Sequence, residues 1–106
     1  MPQIVELSTT TETFEQAQML ARLMVESQLA ACVQITGPIQ SVYRWQGAVC
    51  EATEFRCVAK STQSCIERLM ALVDERHPYD VPELLVVEVV GCSPAYAQWI
   101  VEQLGE

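Results

Sequence analysis

One segment, His77-Pro78-Tyr79-Asp80-Val81-Pro82-Glu83, constrains the fold of this chain more than any other. It holds the single histidine of the sequence and two of its five prolines. Each proline fixes its own φ at about −65° and disfavours the helical region for the residue before it, here His77 and Val81. A preceding helix must therefore end near His77, and the segment crosses stiffly into the next strand. From spacing alone, a rigid connector and a binding loop both stay open.

The residue patterns on either side predict the order βαββαβ followed by an added C-terminal helix. Two strand–helix–strand units with right-handed crossovers, joined by a hairpin, give an α+β, ferredoxin-like sandwich. We expect one domain over residues 1–106. The predicted elements are the strand Ile4–Leu7, ended by Ser8–Thr11; a helix from a Thr13/Gln16 capping box to about Gln28; a strand over Ala30–Ile35 and, after Thr36–Pro38, Ile39–Trp45; the strand Val49–Lys60; the helix Ser61–Arg76; the strand Leu84–Val90; and a helix after Ser93 and Pro94.

Two strands show different burial patterns. On the third, Phe55, Cys57 and Ala59 alternate with polar residues, which predicts one buried and one solvated face. The run Leu84–Val90 is almost continuously apolar, which is typical of a central strand covered on both faces.

The hairpin of strands two and three is long for a chain of this size. Each arm has about ten residues and spans ~33 Å, whereas a globule of this length has a radius of gyration of ~13 Å. The tip should overhang the core, where its open edges need a partner. Tyr43 and Trp45 lie near the tip, as interface anchors would. The alternative is that the arms bend and cover their own core.

Composition excludes several classes of function. A net charge of −8 argues against nucleic acid, whose phosphates would be repelled. No apolar run approaches the ~20 residues of a membrane span, and no signal peptide is visible. The five cysteines are then expected to be free thiols in a reducing compartment. Half of the residues are hydrophobic, which is slightly more than a small domain needs for its own core. We expect a partner subunit to cover the remaining apolar surface.

No catalytic motif stands out. His77 is the only imidazole, so an enzyme would have to use it as its general base. Asp80 and Glu83 lie beside it in the sequence. One interpretation is that they are solvated surface carboxylates. The other is that they form, with His77 and thiols elsewhere, a site for a borderline or soft ion such as copper. A packing role at the helix end remains the alternative for His77.

Four segments, in order and at compatible spacing, together resemble the CutA family of divalent-cation tolerance proteins. The resemblance spans nearly the whole chain. The segments are Leu29-Ala30-Ala31-Cys32-Val33; Ser41-Val42-Tyr43-Arg44-Trp45-Gln46-Gly47 with Glu51 and Glu54 after it; Lys60-Ser61-Thr62; and His77-Pro78-Tyr79-Asp80-Val81-Pro82-Glu83-Leu84.

The resemblance implies a homotrimer of ferredoxin-like subunits, similar to PII signalling proteins, whose long hairpins pair between neighbours. It implies a cytoplasmic, non-enzymatic protein linked to tolerance of divalent cations, notably copper. In the family, copper binding is assigned to a Cys at the end of the first strand and to two adjacent His. Here those positions hold Ser8 and Arg76–His77. A metal site would therefore need His77 together with Glu83, Asp80, a thiol or a neighbouring chain.

Two functional hypotheses follow. The leading one is a trimeric copper-tolerance protein that binds metal weakly or indirectly. The second is a PII-like sensor of a small molecule in a cleft between subunits. The residues expected to line that cleft or the trimer interface are Tyr43, Trp45, Lys60, Tyr79 and Glu83.

Overall fold

The structure, a computed structural model, describes residues 2–105. Four strands and three helices alternate as the pattern predicts. They are β1 (Ile4–Thr11), α1 (Phe14–Glu26), β2 (Cys32–Trp45), β3 (Ala48–Thr62), α2 (Ile66–Arg76), β4 (Leu85–Glu88) and α3 (Pro94–Gln103). Within residues 2–105, no helix is long and apolar enough to cross a membrane.

The strands form one sheet in the order β2-β3-β1-β4, and every neighbouring pair is antiparallel. Each crossover therefore skips one strand, which is the split βαβ arrangement of the ferredoxin-like fold. That predicted fold class is confirmed.

Two apolar clusters hold the subunit together. The larger joins the inner sheet face to α1 and α2, and its largest fully buried members are Val5, Leu7, Leu20, Met24, Leu69 and Val73. The smaller joins α3 to the start of β1 through Ile4, Ile100 and Leu104. Along β1, the residues that alternate with the core members Val5 and Leu7 are polar: Glu6, Ser8 and Thr10.

The first strand corrects one prediction. Ser8–Thr11 does not end β1; these residues continue it, and each is at most 7% exposed. Threonine is β-branched and suits a pleated surface. In addition, all eight residues of β1 have a partner on β3, from the pair Ile4–Thr62 to the pair Thr11–Phe55. Tertiary pairing thus overrides a local run of turn-forming residue types.

The last strand corrects another prediction. β4 is not central: it covers only Leu85–Glu88 and lies at the edge, paired with β1 alone. Leu85 and Val87 are 57% and 55% exposed. Leu84 and Val86 pack against the core, so only the face that carries Leu85 and Val87 is left uncovered by the single subunit.

The long hairpin forms as expected. Gln46 and Gly47 both adopt positive φ, of 49° and 80°, as a tight two-residue hairpin turn requires. Residues 39–45 pair only with residues 48–54, beyond the end of β1, and this hairpin tip gives the subunit extents of 45 × 25 × 22 Å. The predicted interruption near Gly37 is a register shift between Thr36 and Ile39.

Helix ends differ in how closely they follow the prediction. The capping box at the start of α1 is present, with Thr13 accepting from the Gln16 backbone N–H and the Gln16 side chain accepting in return. Pro94 opens α3 as predicted, although the Ser93 side chain makes no capping hydrogen bond. The second helix begins at Ile66 rather than Ser61, because Ser61 and Thr62 remain in β3.

Candidate functional site

His77 ends α2 and is almost completely buried, at 8% exposure. The backbone N–H of Tyr79 donates to its Nδ1 at 3.0 Å, so Nδ1 is an acceptor. Its Nε2 therefore carries the proton and donates to the carbonyl oxygen of Thr10 at 2.9 Å. Burial lowers the pKa of His77, against the opposing effects of the Thr10 hydrogen bond and of Asp74 and Glu54. The imidazole is thus neutral near pH 7 and joins the segment 77–83 to the end of β1.

This arrangement does not suit a metal ligand. Either ring nitrogen would have to give up a hydrogen bond before it could coordinate an ion. Asp80 and Glu83 lie on the exposed part of the segment. Among residues 2–105 no group of three or more His, Cys, Asp or Glu side chains is placed to hold a metal. Ser8 and Arg76 stand at the two other positions to which the family pattern assigns copper ligands. Ser8 lies in the middle of β1, and Arg76 lies at the exposed end of α2.

Tyr79 links the same segment to the hairpin. Its hydroxyl donates to Glu54 Oε2 at 2.8 Å, and its ring lies 4.9 Å from that of His77. Burial is the main cause that raises the pKa of Tyr79, and the hydrogen bond to Glu54 adds to it. The phenol therefore stays protonated and keeps the Glu54 carboxylate fixed.

Above this link a cleft of about 810 Å³ opens between the hairpin and the segment 79–83. The hairpin supplies one wall, and the proline-stiffened segment supplies the other. The lining residues are Thr10, Ser41, Val42, Tyr43, Trp45, Ala52, Glu54, Tyr79, Asp80, Val81, Pro82 and Glu83. Such a volume is typical of small-molecule sites.

A second cavity of about 560 Å³ adjoins the cleft. It shares Tyr43, Ala52 and Tyr79 with the first cavity, and it adds the carboxylate of Glu12. Glu12 also contributes to the raised pKa of Tyr79. The region around Tyr79 is therefore bordered by carboxylates on two sides.

The structure brings together most of the residues predicted for a cleft. Tyr43, Trp45, Tyr79 and Glu83 all line it, as does Asp80. Lys60 does not line the cleft of the single subunit, and its place in a cleft between subunits stays a prediction. It lies six residues along β3 from Glu54, about 20 Å away, where its Nζ contacts Glu6 at 2.7 Å and Gln34 at 3.1 Å.

Glu54 is the main lining residue that sequence reasoning missed. The sequence places it among the polar residues that alternate along the third strand and in a segment that resembles the CutA family, but not in a cleft. The sequence does contain a signal for the position of Glu54, because a two-residue turn at Gln46-Gly47 fixes the pairing register of the two hairpin arms. That register pairs Ser41 with Ala52 and Ile39 with Glu54, which places Glu54 on the face of Tyr43.

Comparison with known proteins identifies the class to which this fold and cleft belong. The sequence model described as "CutA1 divalent ion tolerance protein" matches residues 5–103. The chain therefore belongs to the CutA1 divalent ion tolerance family, and the resemblance predicted from its motifs is confirmed.

Individual relatives and solved structures agree with this family membership. The "Divalent-cation tolerance protein CutA" of Thermus thermophilus is 35% identical over 105 residues, covering 99% of this chain and 100% of the relative. "Protein CutA, chloroplastic" of Arabidopsis thaliana is 38% identical over 94% of this chain, which spans 54% of that protein. A solved structure of CutA from Synechococcus elongatus PCC7942 is similar, at 42% identity and a TM-score of 0.94 with 99% of this chain and 93% of that chain covered. The same protein has also been solved "complexed with Bis-Tris molecule", at 40% identity and a TM-score of 0.90 with 98% and 96% covered.

Proposed function

We propose that this protein is a homotrimer that acts in divalent-cation tolerance, copper included, without catalysing a reaction and with only weak or indirect metal binding. Membership of the family over residues 5–103 is the observation that carries the cation-tolerance function. The surfaces and side chains described above support the more specific parts of the proposal.

Unpaired strand edges and exposed apolar side chains support assembly. The edge strand β4 exposes Leu85 and Val87, and the hairpin tip exposes Val42, Trp45 and Val49 by 53–66%. A long, apolar edge left open would invite aggregation, so it needs a defined partner. Copies of the same chain are that partner in our proposal, with hairpins pairing between neighbours.

The chemistry of His77 supports indirect metal handling. Both ring nitrogens are engaged and the ring is buried, so direct ligation would disrupt the connection between the segment 77–83 and β1. Ligation by His77 with Asp80 and Glu83 stays a prediction, and it requires that disruption or a ligand from another subunit.

The same residues support a role without catalysis. The one imidazole of the chain has no free nitrogen to accept a proton from a substrate. Burial raises the pKa of Cys57 to about 11, which keeps that thiol protonated and unreactive at neutral pH. No disulfide joins any of the five cysteines, all of which lie within the described residues, and this suits the proposed cytoplasmic location.

The experiment is a copper competition between the reduced protein and a chelator of known affinity. We expect the chelator to withdraw copper from the wild type and from the His77→Ala variant equally. Tight binding that is lost in His77→Ala would place a direct site at the segment 77–83 and overturn the indirect role. Tight binding that is kept in His77→Ala but lost in a variant with Cys32, Cys50 and Cys92 changed to Ser would overturn it in favour of the thiols.

A second candidate function is a sensor of a small molecule, and the cleft favours it. The cleft has a size suited to a metabolite, and a rigid segment forms one of its walls. A relative with 40% identity has been solved with a Bis-Tris molecule, which shows that a member of this fold can hold a small organic molecule.

A further inference from the structure

The charge of the cleft restricts what can bind there. Its lining, which belongs entirely to the described residues, includes the carboxylates of Glu54, Asp80 and Glu83 and no Lys or Arg. Lys60, the cation expected in this place, is engaged by Glu6 some 20 Å along the strand. The carboxylates would therefore repel phosphate and carboxylate ligands in the cleft of a single subunit, and no Lys or Arg of the lining would offset that repulsion.

Aromatic rings also favour cationic ligands in the cleft. Tyr43 and Trp45 lie on the same face of β2 and remain 45% and 53% exposed beside the cavity. The faces of such rings attract cations, and Trp does so most strongly. Aromatic faces combined with carboxylates recognise a cation that has an apolar body, whereas carboxylates alone would suit a bare metal ion.

A bare divalent ion fits the cleft less well. Divalent ions need several oxygen ligands at short distance. Within residues 2–105 the carboxylates do not converge into a group of three. Glu54 is in addition engaged by the Tyr79 hydroxyl. The carboxylates are therefore spread around the cavity, and they suit a larger ion with dispersed charge.

We propose that the cleft binds a small organic ammonium ion, held against Tyr43 and Trp45 by the field of the surrounding carboxylates. The hydroxyls of Ser41 and Thr10 lie in the lining and offer hydrogen bonds to a polar group on the same ligand. This inference rests on the second candidate function, a ligand in the cleft, and specifies its chemical class.

The test is a titration of the full chain followed by the NMR signals of its two indole N–H groups. Choline is the cationic probe, 3,3-dimethyl-1-butanol is its uncharged isostere, and ATP is the anionic probe. The signals are assigned with a Trp99→Phe variant, since Trp99 lies on α3 outside the cleft. We expect choline to shift the Trp45 signal and to bind at least about tenfold more tightly than the alcohol, with Trp99 unchanged.

Matched variants separate the local charge from the net charge. Glu83→Gln should weaken choline binding about three- to tenfold and leave the alcohol unaffected. The control Glu75→Gln removes the same charge from the exposed face of α2 and should have no such effect. Added salt should weaken choline binding only.

Three outcomes would overturn the inference. Equal affinity for choline and its isostere would show that the positive charge does not contribute to binding and that the site recognises only an apolar group. ATP shifting Trp45 while choline does not would reject the ammonium ion but keep a cleft ligand. No shift with any probe would reject the ammonium ion and remove support for the sensor function, leaving the cation-tolerance proposal to the copper experiment.

Discussion

Strand β1 and the hairpin tip, residues 39–54, differ in what surrounds them. In β1, Val5 and Leu7 are fully buried, and neighbouring strands pair with it on both sides. In the hairpin tip, Val42 and Trp45 are 62% and 53% exposed, and each arm pairs only with the other arm. Both regions are rich in strand-forming residues, so residue type does not separate them.

The difference shows that one chain carries two kinds of apolar surface. The surface of β1 is used for folding of the subunit, because α1 and α2 cover it. The surface of the hairpin tip contributes little to that folding, so it is available for assembly or for a ligand. Mutations in the two regions should therefore affect different measurements.

The largest effect is expected in β1. Leu7→Ala removes a fully buried side chain from the main cluster and should lower the free energy of unfolding by about 2–5 kcal/mol. Denaturant unfolding measures this change. The control Val90→Ala truncates a fully exposed side chain and should change stability by less than about 0.5 kcal/mol. Equal losses in the two variants would contradict the contrast in burial.

At the hairpin tip, Trp45→Ala should weaken the proposed homotrimer by about 2 kcal/mol or more while the circular dichroism of the subunit stays the same. Sedimentation velocity over a dilution series measures the change. Arg44→Ala is the matched control, since Arg44 lies on the opposite face of the same arm. A trimer that persists at low micromolar concentration in Trp45→Ala would contradict the anchoring role.

The smallest effect concerns His77, which connects the two regions. Its pKa is lowered in the folded state, so the unfolded chain takes up the proton first as the pH falls. Stability from the neutral imidazole is therefore complete above the unfolded pKa of about 6.5 and is lost as the pH falls below it. Protonation also removes the acceptor for the Tyr79 N–H, at a cost of about 1 kcal/mol.

Unfolding curves between about pH 7.5 and pH 5 test this expectation. Wild type should lose more stability over this range than His77→Gln, which has no imidazole to titrate. Nearby carboxylates, Asp74 and Glu54, remain in both proteins and so cancel in the difference. Parallel curves for the two proteins would show that His77 does not couple pH to folding.

Much of the fold could be predicted because its signals are local. The capping box of α1, the turn at Gln46-Gly47 and the proline after His77 each act through dihedral angles and hydrogen bonds within a few residues. The overhang of the hairpin followed from arm length alone. The same features place Tyr43 and Trp45 near the hairpin tip on one face of their strand.

Tertiary structure decided what depends on distant neighbours. Ser8–Thr11 became strand because β3 pairs with every residue of β1, and Leu85–Glu88 became an edge because β1 occupies the centre. The Nε2–H of His77 donates to the Thr10 carbonyl, 67 residues earlier in the chain, and only the tertiary fold brings the two together. The charge of the cleft depends on the packing that brings Glu54 to Tyr79 and leaves Lys60 with Glu6. Periodicity and spacing report which face of an element is apolar, but only the folded chain sets which elements meet there.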